Sequence, residues 1–109
     1  MKKIIIINGP NLNLLGNRET SIYGDISLKD IEKKSKIKCK ELNIKLFFCQ
    51  SNNEGEIINL IHLAENEYDG LIINPAAFTH TSLALLDALR AISKPKIEIH
   101  LSNIYNRED

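Results

Sequence analysis

Four consecutive isoleucines, Ile4 to Ile7, stand between Lys2-Lys3 and Asn8-Gly9-Pro10. The run is far short of the roughly 20 apolar residues that span a bilayer, and with Asn8-Gly9-Pro10 behind it there is no signal-peptide core. Its lack of polar alternation predicts a strand, Lys3 to Asn8, buried on both faces as in a parallel sheet. Such a strand needs helices on both sides of it.

The rest of the chain supplies them. A polar, glycine-punctuated stretch from Gly9 to Asp25 is long for a connection and is therefore a candidate functional loop. Ser27 and Asp30 form an N-cap pair opening a helix with Leu28, Ile31, Ser35, Cys39 and Leu42 at helical spacing. Lys45 to Cys49 reads as a second strand. Ser51 and Glu54 have the spacing of a capping box for a second helix, with Ile57, Leu60, Ile61 and Ala64 on one face. Gly70 to Asn74 is a third strand, ended by Pro75. Leu83, Leu86, Leu89 and Ile92 line a third helix, stopped by Lys94-Pro95, and Lys96 to Leu101 is a fourth strand. Alternating strands and helices without repeat or linker predict a single α/β domain over residues 1–109, a doubly wound parallel sheet with right-handed crossovers.

Charge and composition narrow the function. Fourteen Lys+Arg balance fourteen Asp+Glu, whereas nucleic-acid binding calls for a basic excess. Neither nucleic acid nor membrane is expected as a partner. Cys39 and Cys49 match no zinc or redox spacing and read as buried free thiols of a cytoplasmic chain.

In open α/β sheets ligands bind at the carboxyl ends of the strands. Those ends carry Asn8, Asn11, Asn13, Arg18, Glu19 and Tyr23, then Gln50, Ser51, Asn52 and Asn53, then Asn74, Thr79, His80 and Thr81, and finally Glu98, His100, Ser102 and Asn103. Turn preference accounts for some of these asparagines, but not for His80 and His100 converging with Arg18 and Tyr23. His62, in mid-helix, reads as a surface or packing residue. Glu98, His100 and Ser102 share one face of the fourth strand, so Glu98 either orients the His100 ring or belongs to a solvent-facing edge; the pattern fits both. No phosphate loop and no metal-ligand spacing is present. A guanidinium beside a tyrosine favours the tyrosinate, which makes Arg18 and Tyr23 an activated base and His100 an acid. Elimination of water next to a carbonyl, on a small polyhydroxylated carboxylate, fits that set.

These residues also resemble a known family. Asn8-Gly9-Pro10-Asn11-Leu12-Asn13-Leu14-Leu15-Gly16, with Arg18-Glu19 and Ile22-Tyr23-Gly24, is similar to the opening signature of the type II 3-dehydroquinate dehydratases. Gln50-Ser51-Asn52 with Glu54-Gly55-Glu56, Asn74-Pro75 with Thr79-His80-Thr81-Ser82, Asp87-Ala88-Leu89, and Glu98-Ile99-His100-Leu101-Ser102-Asn103 match its later blocks. The resemblance implies a flavodoxin-like fold, a homododecamer built as a tetramer of trimers, no cofactor and no metal. It implies conversion of 3-dehydroquinate to 3-dehydroshikimate in the shikimate pathway, by anti elimination through an enolate.

Carried over by position, Tyr23 takes the C2 proton, Arg18 sustains the tyrosinate, and Asn11 helps hold the water at the enolate oxygen. His100, oriented by Glu98, protonates the departing hydroxyl. Asn74, His80, Asp87, Leu101 and Ser102 bind substrate, and Arg107 matches the first arginine of the family's lid-and-tail segment. Asn53, Ala76 and Phe78 stand where the family often has histidine, glycine and tyrosine. Family members continue past Asp109 with a second arginine, a fifth strand and a closing helix. The chain therefore reads as four strands of a C-terminally incomplete dehydratase. The alternatives are a non-catalytic fragment that keeps the binding site, and a flavin or signalling module, which the asparagines after the first strand disfavour.

Overall fold

The computed structural model describes residues 1–16, 26–79 and 81–100. Strands β1 (Lys2–Asn8), β2 (Ile44–Gln50), β3 (Gly70–Asn74) and β4 (Lys96–Glu98) form one parallel sheet in the order β2-β1-β3-β4. The isoleucine run lies at its centre. Ile5 and Ile7 are wholly buried and Ile6 nearly so, as a strand covered on both faces requires.

Helices α1 (Leu28–Glu41), α2 (Glu54–Glu67) and α3 (Leu83–Arg90) follow β1, β2 and β3. Right-handed crossovers over this strand order put α2 and α3 together on one face and α1 on the other. The core sits on the α2–α3 side, where Ile5, Ile7, Leu71 and Ile73 meet Ile57, Ile61, Ala64, Leu85, Ala88, Leu89 and Ile92. Helix α1 buries none of its residues. The architecture is the flavodoxin-like α/β sheet expected from the sequence.

Local signals set the helix starts with one exception. Ser27 and Asp30 form the expected reciprocal box, with the Asp30 N–H donating to Ser27 Oγ at 3.1 Å and the Ser27 N–H to Asp30 Oδ2 at 3.0 Å. The Ser51–Glu54 box does not form. Asn53 is the cap of α2, its Oδ1 accepting the Glu56 N–H at 2.8 Å. The Ser51 N–H still extends the sheet ladder to the Asn8 carbonyl at 2.9 Å, and its Oγ accepts the Asn53 N–H at 3.0 Å. Ser51, just past the end of β2, is thus still tied to the sheet, and the helix starts two residues later than its pattern suggests.

The apolar stripe of α3 is also shifted. Leu83 is 83% exposed and Leu86 42% exposed, while Leu85, Ala88, Leu89 and Ile92 are buried. Packing against α2 selects that second stripe, which has the i, i+3, i+4, i+7 spacing of a helix face. Strand β4, expected from Lys96 to Leu101, spans Lys96–Glu98 among the described residues; the Ile99 N–H still donates to the Ile73 carbonyl at 2.8 Å, and Leu101 lies outside them. Cys39 and Cys49 are free thiols, but half-buried rather than buried. His62 is exposed, the first of its two readings.

The turn between α3 and β4 is closed by a carboxylate. Glu65 accepts from the Ser93 N–H at 3.0 Å, Ser93 Oγ at 2.6 Å and the Lys94 N–H at 3.3 Å. The Ser93 hydroxyl, then the backbone N–H groups, hold the Glu65 carboxyl below its usual range. A carboxyl depressed by folding stabilises above its ordinary value near about 4.3 and loses that contribution as pH falls through the lower folded value. Glu65→Gln is therefore expected to lower the unfolding temperature at pH 7 and to shrink the drop seen between pH 7 and pH 3. A drop as large as that of the unsubstituted chain would show that this carboxylate is not a source of acid sensitivity.

Candidate active site

Register aligns the carboxyl ends of the central strands. Asn8 pairs with Gln50 on one side and with Asn74 on the other, so three amide side chains end adjacent strands in one row. Glu98 is registered against Ile73, the residue before Asn74. These are the strand ends singled out in the sequence, brought side by side by the ladder.

The loops leaving the row are laced together. Asn8 Nδ2 donates to the Cys49 carbonyl at 2.8 Å. The Gly9 N–H donates to the Asn74 carbonyl at 2.8 Å, continuing the β1–β3 ladder past the strand. Gln50 Nε2 donates to the Gly9 carbonyl at 3.1 Å and to Asn52 Oδ1 at 3.0 Å. Asn52 Oδ1 also accepts the Asn11 N–H at 2.9 Å.

Asn11 is exposed and sits at φ 68°, ψ −2°, at the head of a 3-10 turn, Leu12–Leu14, with its side chain making no cap hydrogen bond. Asparagine enters this left-handed region more readily than other residues with a Cβ. Asn74 is only 4% exposed. Its Oδ1 accepts the Ala76 N–H at 3.1 Å, which supports Ala76 at φ 53°. Among the described residues the Asn74 Nδ2 group makes no hydrogen bond.

At β4, His100 Nε2 lies 2.8 Å from Glu98 Oε2. The two side chains are 44% and 45% exposed, and at that exposure an ion pair adds little to stability. The contact sets the carboxylate against the imidazole, and β4 is at the same time an exposed strand at the edge of the described sheet, so features of both readings of the alternating strand are present. Asp87 lies on the exposed side of α3, and among the described residues no hydrogen bond joins it to the strand-end row. Arg18, Tyr23, His80, Leu101, Ser102 and Arg107 lie outside the described residues.

Cys49, at the end of β2, has its thiol pushed up to about 11 by burial, with Glu56 adding to the effect. Its Sγ donates to the Ile6 carbonyl at 3.4 Å. At neutral pH it is a thiol and a poor nucleophile. Among the described residues no three His, Cys, Asp or Glu side chains come together as a metal-ligating group, and no helix is long and apolar enough to cross a membrane.

Gly9 is the residue that sequence reading passed over. A Cβ there would lie 2.7 Å from the Pro75 carbonyl oxygen and 2.8 Å from its carbon. Both obstacles are backbone, so neither can swing aside. The visible signal was its place after a buried strand, between Asn8 and Pro10. Gly9→Ala is expected to destabilise the chain by about 1–3 kcal/mol through overpacking, read from the urea midpoint. An unchanged midpoint would mean that the loops do not need this approach.

Comparison with known proteins agrees with this arrangement. Residues 2–109 match the family described as dehydroquinase class II. The 3-dehydroquinate dehydratase of Thermoanaerobacter pseudethanolicus is 56% identical over 109 residues, covering 100% of this chain and 74% of the relative. A crystal structure of the type II dehydroquinase of Butyrivibrio crossotus is similar at a TM-score of 0.90 and 46% identity, covering 97% of this chain and 74% of that one. The type II dehydroquinase of Propionibacterium acnes is similar at a TM-score of 0.90 and 38% identity, over 100% of this chain and 75% of that one.

Proposed function

Because the chain belongs to the dehydroquinase class II family, we propose that it is a hydro-lyase converting 3-dehydroquinate to 3-dehydroshikimate in the shikimate pathway. Residues 1–109 act as one domain, in the cytoplasm and within a homododecamer arranged as a tetramer of trimers. The substrate is a small carboxylated polyol, and no cofactor takes part.

The structural observation that supports this reading best is the Glu98–His100 contact of 2.8 Å at the strand ends. Dehydration α,β to a ketone needs a base at the carbon beside the carbonyl, stabilisation of the enolate oxygen, and an acid at the departing hydroxyl. Tyr23 as tyrosinate, kept ionised by Arg18, takes the C2 proton. Asn11 holds the water that donates to the enolate oxygen. His100 delivers a proton to the leaving hydroxyl, which departs as water and restores neutrality across the step. With an Nε2–H donated to the Glu98 carboxylate, His100 gives up its Nδ1 proton as an imidazolium and is left neutral, balancing the proton that the tyrosinate takes up. Asn74 binds substrate together with His80, Asp87, Leu101 and Ser102.

The reaction product is a conjugated enone, so ultraviolet absorbance follows it directly. With 3-dehydroquinate added, absorbance is expected to rise. Tyr23→Phe and His100→Ala are each expected to lower kcat by about 10²- to 10⁴-fold, the usual share of general acid–base catalysis. A folded protein that binds 3-dehydroquinate without forming the enone would replace this reading with that of a non-catalytic binding protein.

A further inference from the structure

An asparagine at a helix N-cap ordinarily turns its side-chain oxygen onto the N–H groups of the first turn. Asn11 occupies that position before Leu12–Leu14 and makes no such bond. The turn instead closes on backbone groups, with the Leu14 N–H donating to the Asn11 carbonyl at 3.0 Å. The carboxamide of Asn11 is therefore left uncommitted by its own helix.

What keeps Asn11 in its left-handed conformation comes from another strand. Its N–H is held by Asn52 Oδ1 at 2.9 Å. That oxygen is itself fixed by Gln50 Nε2 at 3.0 Å, and the same Nε2 reaches the Gly9 carbonyl at 3.1 Å. One amide of β2 thus grips the backbone two residues before Asn11, and through Asn52 the backbone of Asn11. Neither Gln50 nor Asn52 has a place in the proposed chemistry.

We infer that Gln50 and Asn52 are positioning residues, a two-amide clamp that holds the Asn11 backbone so that its side chain stays off its own helix and available to the substrate. The inference rests on the dehydratase reading and on the role given there to Asn11. Without the clamp the Asn11 N–H loses its partner, and the peptide is free to rotate toward the ordinary capped geometry, withdrawing the amide from the water it holds. Misplacing a reacting group by about 1 Å costs on the order of 10²-fold in rate, so the clamp acts on turnover more than on binding.

Asn52→Asp keeps an oxygen where the Asn11 N–H needs one; Asn52→Leu removes it at similar volume. In the full protein, Asn52→Leu is expected to lower kcat by about 10- to 100-fold with KM within about threefold. Asn52→Asp is expected to restore most of that loss, and Gln50→Leu to give a smaller loss in the same direction. Nuclear magnetic resonance of the Asn11 backbone and side-chain amides in the same proteins reads the clamp without reference to activity. Displaced Asn11 signals in Asn52→Leu, returning in Asn52→Asp, support it. Unmoved Asn11 signals, an unchanged kcat, or an Asn52→Asp as impaired as Asn52→Leu would each overturn it. If the unsubstituted protein forms no enone, the dehydratase reading fails, while the Asn11 signals still decide whether the clamp exists. Should Asn52→Leu not fold, Gln50→Leu decides by the same two measurements.

Discussion

The close passage of Gly9 over Asn74 and Pro75 is the contact on which the rest of the candidate site depends. Strand β1 is interior to the sheet, with β2 on one side and β3 on the other. As it leaves the sheet, its Gly9 N–H bonds the Asn74 carbonyl at 2.8 Å and its Gly9 carbonyl accepts Gln50 Nε2 at 3.1 Å. A single residue therefore ties three strand ends, and no side chain fits at its Cα. Loops that would otherwise move independently start from one fixed point. Proximity of reacting groups contributes to rate only when their positions are held.

Stability and function are distributed unevenly about that point. The apolar cluster under α2 and α3 contains the wholly buried side chains of both central strands, and deleting side chains there costs the most. Helix α1 contributes no buried residue and is studded with lysines. The polar ends of β1, β2 and β3 rise from the well-packed body, so their amides need not contribute to stability themselves. Asn74 illustrates the division, with a backbone carbonyl and a side-chain oxygen given to structure and a side-chain nitrogen that bonds none of the described residues.

Much of this was legible in the residues. The isoleucine run could be only a buried strand, and the Ser27–Asp30 box marked the start of α1 to the residue. The polar strand ends and the Glu98–His100 pair were visible as clusters at predicted termini. Ser51 and Glu54 misled because a capping pattern cannot reveal that the ladder to Asn8 runs one residue further. The LALLDALR segment offers two apolar stripes, and only the surface of α2 selects the one containing Leu85 and Ala88. Gly9 was marked only by its place between a buried strand and Pro10, and nothing near it in the chain named its obstacle, since Pro75 lies on a different strand's exit.

The sequence by itself determined the order of strands and helices, their approximate ends and the chemical character of the strand termini, because periodicity, caps and turn residues act between close neighbours along the chain. Only the tertiary structure decided which stripe of α3 is buried, where α2 begins, and that Asn52 grips Asn11 across 41 positions of sequence. Those outcomes depend on sheet register. Parallel pairing places Asn8, Gln50 and Asn74 in one row, and that relation between distant segments exists only once the sheet has formed.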